Sequence, residues 1–317
     1  MNSRFAGPMV EPAAAIAEVN VVRPYLTVGL LLGFVLEGNS YAFCQLRAPD
    51  DPRSYRRIEP KNLSFHMYKN YLIVVEGSLA RLPKRILLID TGSSRTVLDR
   101  KIADELRLPG VVGTLTLPNG KISVEQVLLP NLELGPIRAK SLPVLTQDLS
   151  FIQKAIGVRI DAIVGIDVLR QSSFSVDYKT KEIVFGKIDA MPFAVPFETG
   201  PPFLTVKMLL NGQPFRLLVD TGAPRLMVFQ SRVQDHLQNL PVGSIGTSST
   251  LAGTLQRKQL LLHTVSIGTT ELGSHAASIV MDQKDNDHDF DGLMALPALG
   301  LTQITFDFEH NTFGWKL

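Results

Sequence analysis

Apolar and polar positions change over in short blocks along this chain, and most blocks are of strand length. Tyr71-Leu72-Ile73-Val74-Val75 and Phe203-Leu204-Thr205-Val206 each read as a strand, followed by a turn-rich break and a second apolar strand. The second strands are Ile86-Leu87-Leu88-Ile89 and Leu217-Leu218-Val219. Leu115-Thr116-Leu117 and Ile122-Ser123-Val124 flank Pro118-Asn119-Gly120-Lys121, a strong hairpin signal because Asn-Gly suits a positive-φ turn. A vaguer equivalent lies around Ala252-Gly253. Lys101 to Leu108, and more weakly Ser231 to Leu240, predict short helices. The expected fold class is all-β, mainly strands with short helices.

The blocks repeat. Both second strands run into the same tripeptide, Asp90-Thr91-Gly92 and Asp220-Thr221-Gly222, 130 residues apart. Asp161-Ala162-Ile163-Val164-Gly165 and Asp291-Gly292-Leu293-Met294-Ala295 keep that offset, as do Leu169 and Leu299, and Asp177-Tyr178 and Asp307-Phe308. One spacing held across four landmarks indicates a tandem duplication, each copy a lobe of about 120 residues. Lobe one is expected over 69–187 and lobe two over 201–317. Between them, 188–200 reads as a linker within a stretch that holds Pro192, Pro196, Pro201 and Pro202.

The amino-terminal region reads as targeting sequence. Leu26 to Leu36 is an apolar run of 11 residues between Arg23 and Glu37. Spanning a bilayer takes about 20, so the run suits a signal-peptide core. Ser40-Tyr41-Ala42 supplies the small residues of a cleavage site, whereas Phe43 disfavours a lipoprotein signal ending at Cys44. The stretch before Arg23 is long and carries Glu11 and Glu18, which fits an uncleaved anchor or a start assigned too far upstream. A buried strand is the other reading of the apolar run. We therefore expect 1–42 to be a signal peptide or membrane anchor and 43–68 a tether. The chain is then exported, periplasmic or secreted, and tethered to a membrane if that segment stays.

Composition narrows the chemistry. A hydrophobic fraction of 45% with 20% charged residues is that of a folded chain, and a net charge of +2 gives no case for nucleic acid as a partner. One cysteine excludes an internal disulfide and a cysteine-based metal site, and none of the six histidines forms a zinc-type pair. Asp287, Asp289, Asp291 and Gly292 imitate the start of a calcium loop, but position twelve would be Ala298, so a solvated acidic loop is the better reading. His275 and His288 read as surface residues, Arg81, Lys84 and Arg85 as a solvated basic turn, and Asp161 and Asp291 as braces for the elements they precede. No metal and no cofactor is expected.

A carboxylate at the end of a buried strand is expensive unless something pairs or uses it. Two of them across a pseudo-twofold axis can share one proton and hold one water between them. Such a pair serves as base and acid together, with no covalent intermediate. The glycine of each tripeptide lets the chain turn, and the threonine hydroxyl can bond across to the opposite loop.

On these residues the chain resembles the aspartic peptidases of the pepsin and retropepsin clan, specifically bacterial retropepsin-like proteins with two fused lobes. The resemblance covers roughly Tyr71 to the C-terminus. It implies two acid-protease lobes related by a pseudo-twofold axis, with the active-site cleft between them. Asp90 and Asp220 are then the catalytic pair, Thr91 and Thr221 inter-lobe hydrogen-bonding groups, and Gly92 and Gly222 the loop turns. Ile163-Val164-Gly165 matches the element that packs beneath the loop. Ala295 departs from the expected glycine, Ser93 follows the first motif as in pepsin-like lobes, and Ala223 follows the second as in retroviral enzymes. A hydroxyl at Ser93 with none at Ala223 favours charge on Asp90 and the proton on Asp220. The hairpin at Asn119-Gly120 lacks the tyrosine of pepsins and is closer to a retroviral flap. The expected activity is that of an aspartic-type endopeptidase acting, as a monomer, on a protein or peptide substrate. An inactive binding or scaffold protein with the same fold is the alternative.

Overall fold

The aliphatic blocks of the sequence become the inner strands of three sheets. The computed structural model describes residues 61–117, 120–198, 202–233, 242–250, 253–281 and 289–317. Residues 1–42, read above as a signal peptide or anchor, and Cys44, Asn119, Ala252, Asp287 and His288 lie outside the described residues.

Lobe one is an eight-stranded sheet in the order His66–Tyr68, Leu72–Leu79, Leu82–Ile89, Ala162–Val164, Val97–Asp99, Ile137–Gln147, Gly120–Leu134, Gly110–Leu117. A further pairing of Leu72–Leu79 with Gly120–Leu134 curls it toward a barrel. Lobe two repeats the plan with seven strands, from Thr205–Leu210 through Gln213–Asp220, Gly292–Ala295, Leu226–Phe229, Thr270–Val280 and Gly253–Ile267 to Val242–Thr250. The duplication is visible in the register. Leu87 pairs with Ala162 and Leu88 with Ile163 in parallel, and Leu217 with Gly292 and Leu218 with Leu293 likewise. Each parallel pair is flanked on both sides by other strands, which is why these segments are aliphatic without a break. The fold is thus all-β with two related lobes, as the sequence implies.

The third sheet, of six strands, joins the lobes. Its order is Lys61–Ser64, Glu182–Phe185, Phe174–Asp177, Gln303–Asp307, Thr312–Lys316, Phe193–Pro196. In the middle, Ser175 faces Thr305, its own counterpart in the duplication, with Phe174 opposite Phe306 and Val176 opposite Ile304 on either side. The local twofold axis therefore passes through the Ser175–Thr305 pair. Phe174 and Phe306 stack with ring centroids 4.6 Å apart, and Phe185, Phe313 and Trp315 are buried in the same layer. Aromatic burial of this kind is among the largest single contributions to a core.

Two boundaries differ from those read off the sequence. Lys61–Ser64 and His66–Tyr68, in the expected tether, are strands of the sheet that joins the lobes and of the lobe-one sheet respectively, and Phe193–Pro196, in the expected linker, is a strand paired with Thr312–Lys316. Proline density suggested a linker, but Phe193–Pro196 lies at a sheet edge, where a proline removes no ladder bond. Of the two expected helices, Arg100–Leu106 forms with Asp99 as its N-cap, accepting from Lys101 N at 3.1 Å. At the second site only a single 3₁₀ turn, Gln230–Arg232, falls among the described residues.

Candidate active site

The strands Leu82–Ile89 and Gln213–Asp220 deliver Asp90 and Asp220 to the lobe interface, both without meaningful solvent exposure. Each carboxyl is held by its own loop: Gly92 N donates to Asp90 Oδ1 at 2.9 Å, and Gly222 N to Asp220 Oδ1 at 2.7 Å. The two carboxyls are close enough for each to shift the titration of the other. Their second oxygens, Asp90 Oδ2 and Asp220 Oδ2, are buried and receive no donor from another described group. A Cβ at Gly92 would lie 2.5 Å from Asp220 Cγ, and one at Gly222 would lie 2.9 Å from Asp90 Cγ. Glycine is needed at both positions because the opposite carboxyl occupies the space a side chain would take.

The threonines lock the loops together. Thr91 Oγ1 donates to Val219 O at 2.7 Å and accepts from Thr221 N at 3.1 Å. Thr221 Oγ1 donates to Ile89 O at 3.1 Å and accepts from Thr91 N at 3.0 Å. All four bonds cross between lobes and are buried. Thr91→Val keeps the shape and strands two buried partners, at about 1–3 kcal/mol each. Urea unfolding should show a loss of about 2–5 kcal/mol for Thr91→Val and about 1 kcal/mol for Thr91→Ser, which keeps the hydroxyl. Equal stabilities would deny the hydroxyls this role.

Burial pushes both carboxyls up: Asp90 to about 7, and Asp220 well above the usual carboxylate range, where the negative charge of Asp90 adds to burial. The cause expected to favour charge on Asp90 does not hold. Ser93 Oγ donates to Arg95 O at 2.6 Å, turned away from Asp90. The loops instead offer equivalent backbone donors, Ser93 N and Ala223 N. The proton is shared by the pair, and the titration belongs to both residues. Because these pKa values are raised on folding, the native state binds protons that the unfolded chain has released above about pH 4. Stability from this source is intact below pH 4 and is lost as pH rises through the folded values, by up to about 1.4 kcal/mol per unit and proton. Asp90→Asn should flatten the fall of Tm between pH 5 and pH 8; parallel curves for the variant and wild type would contradict the shift.

Beneath the first loop, Gly165 is confined: a Cβ there would be 2.7 Å from Ser93 O and from Arg95 C. Ile166 N donates to Ser93 O at 2.8 Å and Gly165 N to Thr96 Oγ1 at 3.2 Å. Asp167, not singled out by the sequence reading, fixes this loop from below, accepting from Thr96 Oγ1 at 2.8 Å and Thr96 N at 3.0 Å. In lobe two, Ala295 pairs with Asp220 and is buried with Leu218 and Ala223 in an apolar cluster. The Gly222–Asp220 bond is kept despite the extra methyl. Asp161 and Asp291 brace the neighbouring strands rather than the elements they precede, taking Ile86 N at 2.9 Å and Arg216 N at 2.8 Å.

Each lobe also carries a long two-stranded ribbon, Gly110–Leu117 with Gly120–Leu134, and Val242–Thr250 with Gly253–Ile267. The second, where the sequence carries only a weak turn signal at Ala252-Gly253, is paired from Ile245 to Thr250 after a register shift between Val242 and Ile245. Here the duplication offset becomes 133: Gly113 opposite Val124 corresponds to Gly246 opposite Arg257. Tyr71, at the start of the first apolar block, is buried and lies in the fields of Asp220, Arg225 and Asp90. Neither Tyr71 nor Arg257 carries a motif that would have marked it. Among the described residues no group of three or more histidine, cysteine, aspartate or glutamate side chains could hold a metal ion.

A family model described as aspartyl protease matches the chain over residues 80–168 and 206–298, together more than half its length. Each matched segment contains one Asp-Thr-Gly loop and the element beneath it. No curated protein matches the chain.

Proposed function

Because the chain belongs to the aspartyl protease family, we propose that it is an aspartic endopeptidase in which Asp90 and Asp220 activate a water against a peptide bond. The observation that carries this reading is the buried carboxyl pair, each member tied to its own loop glycine and packed against the glycine of the opposite loop. With one proton on the pair, Asp90 takes a proton from the attacking water while Asp220 protonates the carbonyl oxygen. The tetrahedral intermediate then collapses as the leaving nitrogen is protonated. A two-stranded ribbon in each lobe supports a reading in which an extended peptide is held between the lobes. Both carboxyls come from one chain, so a monomer has everything this reaction needs.

The inactive alternative draws on Ala295, and the kept Gly222–Asp220 bond of 2.7 Å weakens that motive. The test is cleavage of a peptide library by the purified chain beside its Asp90→Asn variant, with inhibition by a statine-type peptide as a second readout. Wild type that neither cleaves nor binds the inhibitor would sink the proposal. The raised pair also sets the pH profile: kcat/KM should rise on its acid limb as Asp90 ionises and fall as Asp220 does. The acid limb should therefore sit above the ordinary carboxylate range, near 4. An acid limb at or below pH 4 would show that water or substrate restores ordinary values.

A further inference from the structure

Val124 in lobe one and Arg257 in lobe two hold the same place in their ribbons, each opposite a glycine of the partner strand. Val124 is buried in an apolar cluster with Tyr71, Leu88 and Val97. Arg257 is buried to a similar degree, 5% exposed against 2% for Val124. Burying a guanidinium where a valine serves in the sister lobe carries a desolvation cost that needs a use.

The neighbours of Arg257 place it at the second catalytic loop. Side chains two apart on a strand share a face, and Leu255 packs in the cluster that holds Ala223 and Ala295. Arg257 thus shares the face of its strand that packs toward the cluster holding Ala223. Its guanidinium lies over Gly246, where a Cβ would be 3.2 Å from Nη2, so glycine leaves the room that the arginine fills. Nε donates to Thr247 O at a long 3.4 Å. Arg225, two residues beyond Ala223, is near enough to add to the burial that pushes the Arg257 guanidinium down. Tyr71 feels Arg225 together with both carboxyls, which sets that second cation beside the pair as well.

Resting on the peptidase reading, we propose that Arg257 and Arg225 form a subsite on the Asp220 side of the cleft that binds a carboxylate side chain of the substrate. A guanidinium presents paired donors that match a carboxylate, and two cations close together are relieved by an anion between them. The matching place in lobe one is apolar at Val124. The substrate would then carry an acidic residue on one side of the scissile bond and an apolar one on the other.

The test uses peptide pairs that differ only as Glu or Gln at each position flanking the scissile bond. Wild type should prefer Glu at one position by about tenfold or more in kcat/KM, the size of a charge-assisted hydrogen bond. Arg257→Val, which copies the sister lobe, should bring that ratio to about one, and Arg225→Gln, at a partly buried position, should lower it. A wild-type ratio near one at every position overturns the inference while leaving the peptidase reading intact. If wild type cleaves none of the peptides, the peptidase reading fails, and fluorescence anisotropy of the same labelled pairs decides the subsite. Tighter binding of the Glu peptide, lost in Arg257→Val, supports it, and equal binding overturns it.

Discussion

Asp90→Asn and Asp220→Asn are each expected to lower kcat for peptide hydrolysis by about a thousandfold or more, with KM little changed. General acid–base participation is commonly worth about 10²–10⁴-fold, and here one proton-transfer unit is split between two residues. An amide can neither take the proton from water nor stand as the acid, so either change disables the unit. The double variant should therefore be no slower than the worse single one, because residues acting as a unit are not additive. The fold should survive, since each asparagine keeps the carbonyl oxygen that accepts from Gly92 N or Gly222 N. Stopped assays on folded protein check this. Full activity in both single variants would remove Asp90 and Asp220 from the chemistry.

The second large effect is expected at Gly92. Its Cβ would lie 2.5 Å from Asp220 Cγ and 2.7 Å from both carboxylate oxygens, closer than real Cβ contacts come. Gly92→Ala must displace the opposite carboxyl or part the loops. A misplacement near 1 Å can cost on the order of 10²-fold in rate, and overpacking a core about 1–3 kcal/mol in stability. Gly222→Ala should be milder, because its Cβ would sit 2.9 Å from Asp90 Cγ. Gly157→Ala is the control. It suffers only its φ of +80°, with nothing within 4 Å, and should lose about 1 kcal/mol and no activity. Comparing kcat and Tm across the three separates collision at the pair from backbone strain alone; similar kcat for all three would reject the collision.

How much of this was legible in the sequence depended on whether a feature was carried by a local pattern. Aliphatic runs ending in Asp-Thr-Gly are local, so the strands, the loops and the duplication could be read. Register then carried Asp161 and Asp291 to equivalent braces. Edge strands were harder: among the described residues Phe193–Pro196 pairs with Thr312–Lys316, far along the chain, and its proline reads locally as a breaker. Asp167 and Tyr71 belong to the site only through contacts made after folding. Ser93 shows the opposite failure, since its neighbour in sequence, Asp90, loses its hydroxyl to the Arg95 carbonyl. Arg257 could have been found by aligning the two copies with three residues inserted before the second ribbon, which sets it against Val124.

The axis through Ser175 and Thr305 has one more consequence. A cleft made by two identical chains reads the same from either end, and a peptide can thread it both ways. Fusing the halves into one chain breaks that equivalence, since a residue can change on one side alone, as at Val124 and Arg257. On the proposed peptidase reading, the cleft thereby acquires a direction: a peptide's amino-to-carboxyl sense would be distinguishable, with one productive way to lie across the pair.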